Sequence, residues 1–158
     1  MNWALRSGFV LAITGTVWAA EAQAPRKLSA PTLYIAARAD FEGVKDISKE
    51  MKIKGASNLP EGSRIRIEVF DGLAVLNTET FSNLGKDGFF EATLSPRPGR
   101  SFRHNVNCDV TFTPGDGKQD PSVLRIVGRD GSGLGFLKNP QTYIHSGQYY
   151  MRESIHTP

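Results

Sequence analysis

The stretch Ser63-Arg64-Ile65-Arg66-Ile67-Glu68-Val69-Phe70-Asp71-Gly72 decides how this chain of 158 residues is expected to fold. Ile65, Ile67 and Val69 alternate with charged side chains. Successive residues of a strand point to opposite faces, so one face is predicted to be buried and the other wet. Turn-forming residues at 58–62 precede the stretch, and an Asp-Gly pair ends it. It therefore predicts a half-buried strand.

Other segments repeat this pattern on both sides of the first. In 90–94 every second side chain is apolar, and Gly85-Lys86-Asp87-Gly88 before it predicts a tight hairpin turn. Gly55 is expected to end a short strand, and Leu84 to close another. Residues 40–50 fit either a short helical turn or an irregular loop. The predicted strands are 32–39, 51–54, 63–70, 73–81, 89–94, 102–112, 123–127 and 149–155.

The longest alternation runs from residue 102 to residue 112. Its apolar face carries Cys108 between Val106 and Val110, with a phenylalanine at each end of the stretch. Eleven residues of period two are typical of a strand and not of a helix. Because a shift by one residue would bury the polar face, Cys108 is predicted to be a buried, reduced thiol. Met151 is likewise predicted to point inward.

The fold class predicted from these segments is all-β. About seven or eight strands separated by turns, with no convincing long amphipathic helix, favour a single antiparallel β-sandwich of immunoglobulin-like shape over residues 32–158. Short strands of this kind can also close into a small barrel. The sandwich is favoured because the wet faces carry charge while the dry faces carry bulky apolar groups.

The N-terminal segment predicts export. Arg6 supplies a positive charge, residues 8–20 are apolar apart from two threonines, and small residues follow. This is typical of a secretory signal peptide over residues 1–22, with cleavage after Ala22. Cleavage after Ala24 competes but is disfavoured by Pro25, and an uncleaved anchor is the other alternative. A flexible lead-in is expected over 23–31, and the exported chain is predicted to be periplasmic or extracellular.

The net charge argues against a nucleic-acid partner, and the single cysteine excludes an internal disulfide. The formal net charge is only +3, from 19 basic and 16 acidic residues, whereas nucleic-acid binders concentrate basic residues on one face. The closest basic cluster, Arg97, Arg100 and Arg103, is interpreted as a solvated edge, with a contact to a polyanion as the less favoured alternative. Cys108 is the single cysteine, so no internal disulfide can form. We expect no nucleic-acid partner, no cofactor and no membrane span in the mature chain.

The segment 52–94 contains three motifs: Lys52-Ile53-Lys54-Gly55, then Ser57-Asn58-Leu59-Pro60-Glu61-Gly62 before an alternating strand, and Gly85-Lys86-Asp87-Gly88-Phe89-Phe90 after it. By these motifs it resembles small exported bacterial β-sandwich domains. Pro98-Gly99, Phe112, Gln119, Val123 and Gly128 fit the same layout. Such domains are similar to fibronectin-III or carboxypeptidase-regulatory modules. The resemblance implies a fold and no catalytic residues, because its motifs are turn motifs.

Residues capable of chemistry are few and scattered. His104 and Cys108 share a strand face and could contact a metal, but a closed zinc site needs four ligands. His145 and His156 have no sequence relation to them. Ser132 lies in a glycine-rich loop, 128–135, that lacks the lysine and helix of a phosphate-binding loop. Asp116, Asp120 and Asp130 lack EF-hand spacing. Tyr143, Tyr149 and Tyr150 could form a platform for sugars.

The sequence as a whole predicts an exported, non-enzymatic β-sandwich domain with no catalytic, cofactor-binding or metal-binding residues. It would serve as a protein-interaction or structural module of the cell envelope or surface, through exposed loops or an edge strand. A carbohydrate-binding module is the alternative. A hydrolase or a metal-binding protein is the third reading. No residue pattern assigns the partner or the oligomeric state.

Overall fold

The computed structural model of the chain describes residues 32–71, 75–103, 105–135 and 140–157. The predicted signal peptide and lead-in therefore lie outside the described residues. Over the described ranges the chain is an antiparallel sandwich of two sheets, so the predicted all-β fold is confirmed. The elements are β1 (Ile35–Asp40), β2 (Met51–Ser57), β3 (Arg64–Asp71), β4 (Val75–Asn83), β5 (Phe89–Leu94), β6 (Asn107–Phe112), α1 (Pro121–Val127), β7 (Thr142–His145) and β8 (Gln148–His156).

The strands divide into a three-stranded and a five-stranded sheet. The order is β1-β2-β5 in the first and β4-β3-β6-β8-β7 in the second, and every paired neighbour is antiparallel. Strand β3, the stretch that opens the sequence analysis, lies between β4 and β6. Its Ile67 is opposite Thr80 on one side and Val110 on the other.

The core lies between the two sheets. Both inner faces consist of the apolar members of the alternating stretches, so the predicted inside and outside of β3, β5 and β6 and the inward position of Met151 in β8 are confirmed. The five-stranded sheet contributes fully buried Ile65, Ile67, Val69, Cys108, Val110, Phe112 and Met151. The three-stranded sheet contributes Ile35, Met51, Ile53, Phe90, Ala92 and Leu94.

Gly55 does not end β2, contrary to the prediction. The strand continues to Ser57, and Gly55 pairs with Phe90 of β5. A Cβ atom at position 55 would lie 2.2 Å from Cζ of Phe90 and 2.6 Å from the carbonyl oxygen of Ala36. The absence of a side chain at Gly55 therefore makes room for the Phe90 ring, and this glycine packs the core instead of breaking the strand.

The turn at 85–88 forms as predicted, but it does not join two strands of one sheet. Gly88 N–H donates to Gly85 O at 3.0 Å, and Gly85 N–H donates to Phe89 O at 2.8 Å. Beyond this turn β4 continues in the five-stranded sheet and β5 in the three-stranded one. The connection therefore crosses from one layer of the sandwich to the other.

We expect Gly88→Val to destabilise the fold by more than about 1 kcal/mol, because Gly88 has φ +79° and an L-residue is strained there. A Cβ at this position would also lie 2.9 Å from Ser57 O. Gly62→Val is the matched control, since Gly62 has the same φ with no neighbour within 4 Å. Urea denaturation should show a smaller loss for Gly62→Val. An unchanged midpoint for Gly88→Val would contradict this turn.

The predicted strand 102–112 is shorter in the structure. Strand β6 begins at Asn107, because Asn105 has φ +63° and interrupts the extended backbone. Phe102 and Val106 are buried as predicted, although they precede the strand, and Phe102 N–H donates to Ser48 O at 2.8 Å. His104 lies outside the described residues. Asparagine tolerates a positive φ better than most residues, which explains the break.

The predicted strand 123–127 is wrong, because this segment is helix α1. Asp120 caps its N-terminus by accepting a hydrogen bond from Ser122 N–H at 2.7 Å, and Pro121 occupies the first turn. Both residue types are favoured at these positions. Val123 and Val127 are buried against the core. The hydrogen bonds from Ser122 also lower the pKa of Asp120.

Three other predictions have mixed outcomes. The last predicted strand is confirmed as β8, but its hairpin partner β7 was missed. Ser146 and Gly147, which connect β7 to β8, both have positive φ, as a type I′ turn requires. Residues 41–50 form turns and no helix, which resolves the alternative left open for this segment. Strand β4 begins at Val75, and Leu73 lies outside the described residues.

Candidate functional site

The outer face of the three-stranded sheet carries a broad apolar trough. Ala36, Ala56 and Phe89 form one row across β1, β2 and β5, since Ala36 pairs with Ala56 and Ala56 with Phe89. The two alanines are too small to cover the sheet, whereas the Phe89 ring remains 61% exposed. The result is an open depression of about 640 Å³. We call this surface the Phe89 trough.

Charged side chains line the trough on one side. The next outward row contains Arg38, Lys54 and Glu91, and Asp87 also lines the depression. Lys54 Nζ lies 2.7 Å from Asp40 Oδ2. The hydrogen bond from Lys54 lowers the pKa of Asp40, and the contact raises the pKa of Lys54. The trough thus combines an apolar floor with a charged rim.

The outer face of the five-stranded sheet is polar, in contrast. Glu79, Glu68 and Asp109 form a row across β4, β3 and β6. Arg66 pairs with both glutamates at 2.8 Å, and Arg152 pairs with Asp109 at 2.7 Å. Burial raises the pKa of Glu68, and the neighbouring Glu79 and Asp109 charges add to this effect, against the opposing effect of Arg66.

Two of the three predicted tyrosines come together at the end of this face. Tyr143 and Tyr150 are cross-strand partners, and their rings stack with centroids 5.6 Å apart and planes 27° apart. Tyr149 points to the other side of the sheet and packs against the core. Of the three tyrosines, only Tyr143 and Tyr150 therefore lie together on the outer face, and we call them the tyrosine pair.

At the opposite edge of the same face, Phe81 of β4 lies among cations. The guanidinium carbon of Arg64 is 3.9 Å from the ring centroid, and Lys118 Nζ is 5.6 Å from it. Such distances are typical of cation–π contacts. The sequence analysis missed this cluster, because it joins β3, β4 and the loop before α1. The only available signal was Phe81 on the wet side of its strand.

Leaving aside His104, which lies outside the described residues, the residues considered for catalysis or metal binding do not form a common site. Cys108 is fully buried, and burial raises its pKa to about 12. His145 and His156 are exposed on different strands, and His156 Nδ1 lies 2.5 Å from Asn107 Oδ1. In the part of the chain that the structure describes, no group of three or more histidine, cysteine or acidic residues is placed to hold a metal ion.

The three loop aspartates stabilise their own turns. Asp116, Asp120 and Asp130 each accept a hydrogen bond from the backbone N–H two residues ahead, at 2.7–3.0 Å. The glycine-rich loop contains a short 3₁₀ helix, Ser132–Leu134, whose Leu134 is buried. Ser132 N–H donates to Asp130, and this bond lowers the pKa of Asp130. These contacts assign the loops a structural role.

The arginine cluster at 97–103 is exposed, as its interpretation as a solvated edge requires. Arg100 lies 3.5 Å from the Asp71 carboxylate. Arg97 N–H donates to the side chain of buried Asn77, which in turn donates to Asp71. The loop is therefore fastened to the edge of the five-stranded sheet by Asn77.

We expect Cys108 to be unreactive in the native protein. The reacting form is the thiolate, and a thiol whose pKa is about 12 stays protonated at neutral pH. Titration with a thiol reagent should detect almost nothing before denaturation and one equivalent afterwards. Fast labelling of the native protein, or a disulfide-linked dimer on a non-reducing gel, would contradict the buried position.

Comparison with protein-family models, with curated proteins and with solved structures finds no match to this chain. Within the described residues, no helix is long and apolar enough to cross a membrane.

Proposed function

We propose that this chain is an exported, non-catalytic β-sandwich module that binds a protein partner through the Phe89 trough. The single observation that carries the proposal is the 61% exposed Phe89 ring beside a floor of alanines. Exposed aromatic rings are costly in water, and they are enriched at the centres of protein interfaces.

The surroundings of Phe89 match the anatomy of a protein interface. Interfaces typically have an apolar centre, where a few aromatic residues carry most of the binding energy, and a polar rim. Arg38, Lys54 and Glu91 provide such a rim, and the trough of about 640 Å³ can accept one or two bulky side chains of a partner. A partner segment with an apolar side chain flanked by charges fits this surface.

The strand order supports an immunoglobulin-like module similar to fibronectin-III domains. Immunoglobulin domains place strands A, B, E and D in one sheet and C, F and G in the other, with C′ added to the second sheet in variable domains. No described strand corresponds to D. Labelled in this way, β1, β2 and β5 are A, B and E. Strands β4, β3, β6 and β8 are then C′, C, F and G. Strand β7 is an additional edge strand.

Export is part of the proposal. The segment 1–22 supports it through its single positive charge, its apolar stretch and its small residues before Gln23. The exported module would act in the periplasm or outside the cell. A sandwich held without a disulfide, with a buried thiol, is compatible with either compartment.

Site-specific photocrosslinking tests the proposal. A photoreactive phenylalanine analogue is introduced at position 89 of the full-length protein in its source organism, and adducts are isolated from the envelope fraction. The same analogue at position 144 is the matched control, because Ile144 is similarly exposed (51%) but belongs to the other sheet. One discrete protein adduct should form at position 89 only.

The adduct is then verified with purified proteins. Phe89→Ala should weaken the partner's affinity at least tenfold, as expected for an aromatic residue at the centre of an interface, whereas Ile144→Ala should not. Equal adducts from both positions, or an affinity unchanged by Phe89→Ala, would refute the trough as the binding surface.

Carbohydrate binding is the second candidate function, and a different observation favours it. The tyrosine pair lies next to rigidly held charged side chains on the five-stranded sheet. Aromatic faces contact the apolar side of sugar rings, and fixed polar groups hydrogen-bond their hydroxyl groups. This surface is separate from the Phe89 trough, so the two candidates can be tested independently.

A further inference from the structure

Strand β4 lies at the edge of the five-stranded sheet and is paired on one side only. Among the described strands, β3 is its only hydrogen-bonded neighbour. With nine residues it is as long as β8, which lies inside the sheet. The unpaired N–H and C=O groups of an edge strand are a template on which a strand of another chain can pair.

The register determines which backbone groups of β4 are open. Leu84 N–H donates to Ser63 O at 2.9 Å, so the backbone groups of Leu84 point toward β3. Because these groups alternate along a strand, the even-numbered residues of 78–84 point theirs to β3, whereas Glu79 and Phe81 point theirs away. Within the described ranges, the backbone N–H groups of Glu79 and Phe81 donate no hydrogen bond.

The loop 97–101 covers only the first part of β4. Arg97 N–H donates to Asn77 Oδ1 at 3.3 Å, and Asn77 Nδ2 donates to Ser101 O at 3.3 Å. The register between β4 and β3 also shifts next to Asn77. Covering loops and bulges of this kind protect an edge strand from pairing. The open part of β4 is therefore 78–83.

Charge does not protect this open part. Glu79 Oε2 accepts from Arg66 Nε at 3.0 Å and from Arg66 Nη2 at 2.8 Å, so its carboxylate is already paired. The charged residues that line the two depressions along this edge also balance, with Arg64, Arg66 and Lys118 against Glu79, Asp116 and Asp120. A second copy of the chain that approaches this edge therefore meets no net charge.

The open part of β4 can pair with itself across a two-fold axis. Antiparallel registers centred on Thr80 and on Phe81 pair the residues 78–82 and 79–83, and both let the outward backbone groups meet. The register centred on Phe81 brings two Phe81 rings together. Each ring has the Arg64 guanidinium 3.9 Å from its centroid, so like charges meet, which is unfavourable.

The register centred on Thr80 avoids this repulsion. It places Glu79 opposite Phe81 of the second copy, where Arg64 and Lys118 lie over the ring. On the other face of the strand, Thr80 meets its own copy and Thr78 meets Ser82. Such threonine and serine pairs are favourable between antiparallel strands. The segment is therefore complementary to itself in both side chains and backbone.

We infer that this chain forms a two-fold symmetric dimer in which β4 pairs antiparallel with β4 of a second copy, centred on Thr80. The pairing joins the two five-stranded sheets into one continuous sheet and closes their open edges. The inference does not rest on the proposed function, because the Phe89 trough lies on the outer face of the other sheet.

Sedimentation and hydrogen exchange on the purified protein test the inference. Sedimentation equilibrium from about 10 µM to about 1 mM should show a monomer–dimer equilibrium, because an interface this small is weak. Amide exchange followed by NMR should then slow at Glu79 and Phe81 as the protein concentration rises. The amides of the even-numbered residues of 78–82 donate to β3 and should be protected at every concentration.

Charge-exchange variants test the register. Glu79→Lys should weaken dimerisation at least tenfold, since the new lysine faces Arg64 and Lys118 of the second copy. Lys118→Glu should also weaken it, and the double variant should dimerise more tightly than either single one. Glu91→Lys is the matched control, because it makes the same charge change on an edge strand of the other sheet and should have no effect. Circular dichroism melting curves confirm that each variant is folded.

Each outcome supports or overturns the inference. A dimer with concentration-dependent protection of Glu79 and Phe81, and with recovery in the double variant, supports it. A protein that stays monomeric at the highest concentration overturns it. A dimer whose newly protected amides lie in β1 or β5 overturns the assignment to β4. Protection at β4 without recovery in the double variant overturns the register centred on Thr80.

Discussion

Ile67→Ala is expected to destabilise the protein by about 3–4 kcal/mol, the largest effect of any single truncation that we propose. Ile67 is fully buried in β3, the strand flanked by β4 and β6, and it faces the core between the sheets. Removing its side chain loses the transfer free energy of the deleted groups and leaves a cavity that neighbouring strands cannot fill. Domains of this size are stable by only about 5–15 kcal/mol.

Urea denaturation followed by circular dichroism measures this loss. Ile67→Val removes one methylene and should cost about 1 kcal/mol. Ile126→Ala is the exposed control, since Ile126 on α1 is 68% exposed, and it should change stability by less than about 0.5 kcal/mol. A loss below 1 kcal/mol for Ile67→Ala would mean that β3 is not the central strand of the core.

The sequence predicted the core strands well because burial leaves a period-two signal. In β3 and β5 every second residue is buried, and the intervening charged or polar residues lie outside. A strand with one wet face cannot change its register without burying charge, so this pattern determines which side chains lie inside. The predicted sandwich follows from such strands, since both sheets present their apolar faces to each other.

Helix α1 shows where periodicity fails. Val123 and Val127 are four residues apart, a spacing that places both side chains on one face of either a strand or a helix. The two residues before Val123 distinguish a helix from a strand here, because Asp120 caps the N-terminus of a helix and Pro121 is favoured in its first turn. Over seven residues the capping residues are therefore more informative than the apolar spacing.

The candidate surfaces depend on contacts that no local pattern contains. Phe89 lies on the outer face by the alternation of β5, but its exposure depends on Ala36 and Ala56 from two other strands. Likewise, Phe81 meets Arg64 through the β3–β4 register and meets Lys118 through a distant loop. Local spacing also predicted a hairpin at 85–88, but not that its strands would enter different sheets.

Gln119 has a structural role at the first residue of β3. Its side chain is only 6% exposed, Oε1 accepts from Arg64 N–H at 2.8 Å, and Nε2 donates to Arg64 O at 2.9 Å. The pairing of β3 with β6 reaches only Arg66 and Thr111, so at Arg64 the amide replaces a neighbouring strand. Gln141 does the same for Ile35 of β1: its Oε1 accepts from Ile35 N–H at 2.9 Å, and its Nε2 donates to Ile35 O at 2.7 Å.

Gln119→Ala should cost about 2–3 kcal/mol, because the three hydrogen bonds of the amide are lost and half-buried backbone groups are left unpaired. Gln119→Glu is the sharper variant. The introduced carboxylate can accept from Arg64 N–H, but it faces the carbonyl oxygens of Arg64 and Thr113, to which the amide donates at 2.9 and 3.4 Å. These oxygens and the burial of the site should raise the carboxyl pKa in the folded state above its unfolded value of about 4.3.

The sign of the pH dependence follows from this shift. A carboxyl group with a raised pKa binds its proton more tightly in the folded state, so the variant loses stability as pH rises through the two pKa values. Measured against the unsubstituted protein at each pH, Gln119→Glu should cost more at pH 7 than at pH 4, where the protonated acid again donates to Arg64 O. Gln148→Glu, at an exposed glutamine of β8, should show no comparable difference. An equal cost of Gln119→Glu at both pH values would show that the side-chain amide does not replace a strand at this edge.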